Sequence, residues 1–124
     1  MARLKDIVVD CERAPTLARF WAAVLDDYDV APYDDAEIER LASLGYTPDT
    51  DPGVIVQGSG PRLYFQQVPE PKTTKNRLHI DVIADDRAAE VERLKGLGAT
   101  VHAVYDDWTT LLDPEGNEFC VMDP

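Results

Sequence analysis

Four kinds of side chain in this 124-residue chain could do chemistry if the fold gathers them. They are the imidazole of His79, the thiol of Cys120, the carboxylates of Asp6, Asp10, Asp81 and Glu118, and the rings of Tyr64 and Trp108. His79 sits near the start of the strand-like stretch RLHIDVIA (77–84), and Asp81 follows two residues later. Successive side chains of a strand point to opposite faces, so His79, Asp81 and Ile83 share one face and Ile80, Val82 and Ala84 the other. The same parity groups Asp6, Val8 and Asp10 in an early strand, and Glu118, Cys120 and Met122 in the last one.

An imidazole among carboxylates can carry protons near neutral pH, contact a small molecule, or bind a metal ion. It can equally be hydrogen-bonded to Asp81 or Asp6 and do none of these. Four carboxylates could form an acid–base group. Buried together without a cation they would be costly, so convergence would imply a cationic or metal-bound ligand, and separation would leave them in solvent. Acidic neighbours raise a thiol's pKa, which argues against Cys120 as a nucleophile, and no catalytic residue is assigned. Trp108 and Tyr64 offer a ligand large apolar area, with ordinary packing as the alternative. His102 has no evident chemical partner in the sequence.

The elements that must position these groups are readable from spacing. Residues 4–11 have strand composition. Ala14-Pro15 opens a helix whose apolar stripe is Leu17, Phe20, Trp21, Val24 and Leu25. A short strand is expected near Asp29-Val30. Residues 34–44 form a second helix, with Asp34 and Glu37 as a capping box, Ile38, Leu41 and Leu44 as the stripe, and Gly45 as the stop. A loop over 47–53 precedes strands at 54–57 and 62–68. The prolines and polar residues of 69–76 form a linker. After it come the 77–84 strand, a helix over 86–97 capped by Asp85 or Asp86, and strands near 100–105, 108–112 and 118–122. Ala88, Val91, Leu94 and Leu97 line one side of that helix, with Gly98 as its stop. Asp113-Pro114-Glu115-Gly116 has the residues of a tight turn. The order amounts to an internal repeat with an extra helix in the first half.

Composition narrows the partners. Twenty-four acids against 12 bases give a net charge of −12, which repels phosphate backbones and anionic membranes. No apolar run is long enough to span a bilayer, and Asp6 and Asp10 interrupt any signal-like segment, so a cytoplasmic location is expected. Cys11 and Cys120 fall on opposite sheet faces by parity and are expected to be free thiols.

The segments LARFWAAVL (17–25), FQQVPEPKTTKNRLHIDV (65–82), LKGLGATV (94–101) and DPEGNEFCV (113–121) resemble the vicinal oxygen chelate superfamily. That superfamily includes glyoxalase I, bleomycin-resistance proteins and extradiol dioxygenases, and the nearest resemblance is to its glyoxalase-like branch. It implies an α+β fold of two βαβββ modules forming a cupped mixed sheet with helices outside. Module one would span 3–68 and module two 77–123, in a single domain over 1–124. In metal-binding members each module supplies one ligand from its first strand and one from its last. Those positions fall on Asp6 and, within a residue or two, Gln66, and on His79 and Cys120. Histidine is usual where Asp6 stands, and glutamate where Gln66 and Cys120 stand. An amide is a weak ligand, so no metal ligand or cofactor is assigned.

The function implied is binding of a small organic molecule in the cup without an essential metal, in a homodimer. The contacts would be Asp6, Tyr64, Gln66, His79, Asp81, Trp108, Glu118 and Cys120. The alternative is a lyase, isomerase or dioxygenase dependent on a divalent metal, so enzyme activity stays open.

Overall fold

Each half of the chain alternates apolar and polar residues along its strands, and each buries the apolar side against a helix. The computed structural model describes residues 1–124, which divide into two units, Met1–Pro71 and Lys72–Pro124. The first contains β1 (Asp6–Cys11), α1 (Ala14–Val24), β2 (Tyr28–Val30), α2 (Asp35–Ser43), β3 (Gly53–Gly58) and β4 (Arg62–Gln67). The second contains β5 (Ile80–Ile83), α3 (Arg87–Leu97), β6 (Thr100–Val104), β7 (Trp108–Leu112) and β8 (Glu118–Met122).

The two sheets have the same wiring. Strand order is β1-β4-β3-β2 in one and β5-β8-β7-β6 in the other. The first strand of each unit runs parallel to the last, and the other pairings are antiparallel. With α2 set aside as an insertion, both units are βαβββ modules in an α+β fold, as the repeat in the sequence implies.

In the first unit Leu17, Phe20, Trp21 and Val24 of α1 are buried, as are Val54, Val56, Leu63 and Phe65 of the sheet on which α1 packs. Phe20 and Trp21 meet edge to face with centroids 5.5 Å apart. In the second unit Val91 and Leu94 of α3 and Leu111, Phe119 and Val121 of the sheet are buried. Ala88 and Leu97 are exposed, so the buried stripe of α3 is narrower than its spacing predicts.

Local chemistry fixes the ends of the elements. Asp86 accepts from the Ala89 amide at 3.0 Å, and Gly98 closes α3 at φ +116°. Asp34 accepts from the Glu37 amide at 2.8 Å. The Glu37 carboxylate turns instead to Arg40, at 2.9 and 2.6 Å, so half of the expected capping box forms. Of the predicted α2 stripe, Leu41 is buried while Ile38 and Leu44 remain exposed. The insertion is fastened by an Arg19–Asp49 ion pair and by the Tyr33 hydroxyl, which donates to the buried Asp51 at 2.7 Å.

One boundary differs from expectation. The strand predicted from residue 77 starts at Ile80, leaving His79 just before it. Ladder pairing with β8 begins at Ile80 and Phe119. The preceding Asn76 amide donates to the Glu118 side chain at 3.1 Å, so this segment is held by a side chain before the backbone ladder takes over.

The turn before β8 depends on Asp113. Its buried carboxylate accepts from the Glu115 amide at 2.9 Å, the Asn117 amide at 3.0 Å and the Asn117 side chain at 2.9 and 3.1 Å. Removing a buried acceptor strands its donors, so Asp113→Ala should lower unfolding free energy by about 2–4 kcal/mol. Loss of the more exposed cap in Asp86→Ala should cost about 1 kcal/mol. Urea denaturation of the two variants checks the order; a larger loss in the cap variant would contradict it.

Candidate functional site

The outward side of the second sheet is organised in rungs across β5, β8 and β7. Asp81 lies opposite Cys120, and Cys120 opposite Thr110. One rung further, Ile83, Met122 and Trp108 align, and Leu112 pairs with Glu118 at the other end. Leu112 apart, the face therefore grades from charged and polar groups (His79, Asp81, Glu118, Cys120, Thr110) to apolar ones (Ile83, Met122, Trp108).

His79 Nε2 lies 3.3 Å from Asp81 Oδ1. Of the two carboxylates that could take this imidazole, Asp81 is its partner. Cys120 is half-buried, with Thr110 Oγ1 3.5 Å from its Sγ. A nitrogen of His79, a carboxylate oxygen of Asp81 and the Cys120 sulfur all lie within 4.8 Å of one another.

Glu118 is engaged separately. Lys72 Nζ donates to it at 3.3 Å, Lys75 Nζ lies 3.9 Å away, and the Asn76 amide donates at 3.1 Å. Burial pushes this carboxyl up, but the Asn76 amide, its own amide and the Lys72 ammonium outweigh that and hold it below the ordinary glutamate range. Trp108 stacks on Tyr105 with centroids 4.5 Å apart. Arg87 donates to the carbonyls of Tyr105 and Asp106 at 3.1 and 2.8 Å, so α3 holds the hairpin that carries this ring pair.

The first sheet has corresponding rungs with different contents. Asp6 pairs with Arg62; Val8, Tyr64 and Ile55 align; Asp10, Gln66 and Gly53 align. Arg62 grips Asp6 at both oxygens, Nε to Oδ1 at 2.6 Å and Nη2 to Oδ2 at 3.1 Å. Tyr64 lies across β3, and a Cβ built on Gly53 would come within 2.3 Å of its hydroxyl, so only glycine leaves the ring this position. Gln66 is exposed and faces Asp10 rather than Asp6.

These positions bear directly on the ligand set implied by the resemblance. Asp6 and Gln66 stand four residues apart in register, about 13 Å along a strand, and cannot share one ion. Asp6 is also neutralised by a guanidinium. The residues of the first unit therefore do not fit a metal-chelating pair. Of the four carboxylates, Asp6 and Glu118 each have their own cations.

Arg62, Thr110, Tyr105 and the two lysines are not among the residues the sequence singles out. Parity could have found Arg62 and Thr110, which share a face with Tyr64 and with Trp108 respectively. Lys72 and Lys75 come from a segment whose path no periodicity reveals.

The profile of the glyoxalase-like domain family matches residues 6–122. No curated protein matches the chain by sequence. Solved structures share the fold at low identity. The fosfomycin resistance protein FosX from Mesorhizobium loti is 14% identical, with a TM-score of 0.67 over 98% of this chain and 91% of that one. A glyoxalase/bleomycin resistance protein/dioxygenase family enzyme from Burkholderia phytofirmans is 16% identical, with a TM-score of 0.66 over 98% of each chain. Glyoxalase I of Leishmania major is 14% identical, with a TM-score of 0.62 over 99% of this chain and 87% of that one.

The Arg62 hydrogen bond is the main reason the Asp6 carboxyl is held below its ordinary value of 3.8. A carboxyl depressed in the folded state stabilises that state above its unfolded pKa, and the contribution fades as pH falls through the lower folded value. Carboxyl-carbon NMR titration should give Asp6 a midpoint below 3.8, moving upward in Arg62→Ala. An unchanged midpoint in that variant would refute the pairing in solution.

Proposed function

Because the chain belongs to the glyoxalase-like domain family of the vicinal oxygen chelate superfamily, we propose that it binds a small organic molecule on its open sheet faces without requiring a metal. The observation that carries this reading is the two-point capture of Asp6 by Arg62, at 2.6 and 3.1 Å. That ion pair occupies the first-strand position that a chelate shared between modules would need. What the faces offer instead is contact chemistry.

In the second unit the contacts would be His79, Asp81, Glu118 and Cys120 at the polar end and Trp108 at the apolar end. In the first unit they would be Asp6, Tyr64 and Gln66. The stacked Tyr105–Trp108 pair supplies a flat apolar wall held by Arg87, which suits a planar or hydrocarbon portion of a ligand. The His79–Asp81 pair supplies a donor and an acceptor for its polar portion. Binding without turnover, as in sequestration of a toxic compound, needs nothing further from the protein.

Chelator-dialysed protein screened by thermal shift against drug-like amphiphiles should yield ligands that also alter tryptophan emission. Trp108→Ala should weaken them at least tenfold, whereas the buried Trp21 reports only the fold. Ligands that bind only after a divalent metal is restored would overturn the reading.

The same proposal includes a homodimer. Val101, Val104 and Tyr105 are exposed at or just beyond β6, the edge strand of its sheet, where apolar side chains and unpaired backbone groups favour association. Light scattering at micromolar concentration should return twice the chain mass; a single-chain mass would remove this part of the proposal.

A further inference from the structure

We infer that the second unit by itself carries a site for a thiophilic divalent cation of the zinc class, built from His79, Asp81 and Cys120. This goes beyond organic-ligand binding and does not depend on it.

The three donors are a nitrogen, an oxygen and a sulfur within 4.8 Å of one another. Around a tetrahedral zinc, with bonds of about 2.0–2.3 Å, donors stand roughly 3.3–3.8 Å apart. Closing the remaining distance needs only side-chain rotation, because the His79 and Asp81 side chains are 46% and 53% exposed. The ladder fixes two of the donors: Asp81 and Cys120 are partners on parallel strands, and His79, just before the first of these strands, holds its Nε2 3.3 Å from Asp81.

Three protein donors leave a fourth coordination position open to solvent. Thr110 Oγ1, 3.5 Å from the sulfur, is placed to donate to a thiolate and orient it. The ion pair that Asp81 makes is with His79, whereas Asp6 and Glu118 are committed to arginine and lysine. The donor mix disfavours magnesium and calcium, which take oxygen ligands, and suits zinc or cobalt. On binding, the cation takes the His79 lone pair and the Asp81 carboxylate, and the Cys120 thiol releases its proton to solvent.

The arrangement departs from a chelate with ligands in both modules. Asp81 has no place in that pattern, and Asp6 and Gln66, which would complete it, have none here.

Chelator-treated, phosphine-reduced full-length protein is titrated with Co²⁺, with no organic ligand present, so failure of either proposal leaves the other standing. The expected result is a thiolate-to-cobalt charge-transfer band saturating at one equivalent per chain and bleached by Zn²⁺. Cys120→Ser should abolish the band, and His79→Ala and Asp81→Asn should each weaken binding at least tenfold. Far-UV circular dichroism checks the fold of every variant, and the exposed His79 and Asp81 keep the test decisive if Cys120→Ser misfolds. Three results would overturn the site: no charge-transfer band; a band surviving Cys120→Ser; or unchanged affinity in both His79→Ala and Asp81→Asn, which means an adventitious ion only.

Discussion

Phe119 and Val121 have no exposed surface, and their burial sets the register of β8. Slipping a strand by one residue would exchange its faces, sending both side chains into water and Cys120 into the core. Fully burying such a side chain is worth roughly 1.5–3 kcal/mol, so the slipped register is strongly disfavoured. Everything on the open side follows. Once Phe119 and Val121 face inward, Glu118, Cys120 and Met122 face outward, and the parallel pairing with β5 sets Asp81 opposite Cys120. Leu63 and Phe65 do the same for β4, turning Arg62, Tyr64 and Gln66 outward.

Two modules with identical strand order thus present different chemistry, and charge placement makes the difference. In the first unit the outward Asp6 meets a guanidinium in a geometry that satisfies both carboxylate oxygens. In the second, lysines from the segment after Pro71 reach Glu118, while Asp81 is left with the His79 imidazole. The chain carries a large negative excess, so where its few cations sit decides which carboxylates remain available. Among those that meet no lysine or arginine is Asp81, which lies beside His79 and the Cys120 thiol.

The insertion between β2 and β3 has its own fastening. Burial and the hydrogen bond to Asp51 push the Tyr33 phenol well above its ordinary range, so it stays a donor at any physiological pH. Asp51 also accepts from the Gly53 amide at 2.9 Å, which ties the end of the insertion to the glycine beneath Tyr64. These hydrogen bonds tie the segment to the open face, and Leu41 is the one residue of the predicted stripe that its helix buries.

Local signals carried much of the architecture. The apolar spacing of α1, the caps at Asp34 and Asp86, the stops at Gly45 and Gly98 and the turn at Asp113 each act within a few residues, so they are legible in a linear chain. Strand parity likewise put Asp81 and Cys120 on an outward face, because alternation is a property of the backbone itself. The sequence did not determine which outward residues meet. That Arg62 takes Asp6, that Gln66 faces Asp10, that Lys72 reaches Glu118 and that His79 stops short of the ladder all depend on register between strands whose paired residues are 39 or 56 apart in the chain. Register is fixed by long-range burial of Phe65, Phe119 and their neighbours, and only the folded chain brings those contacts into being.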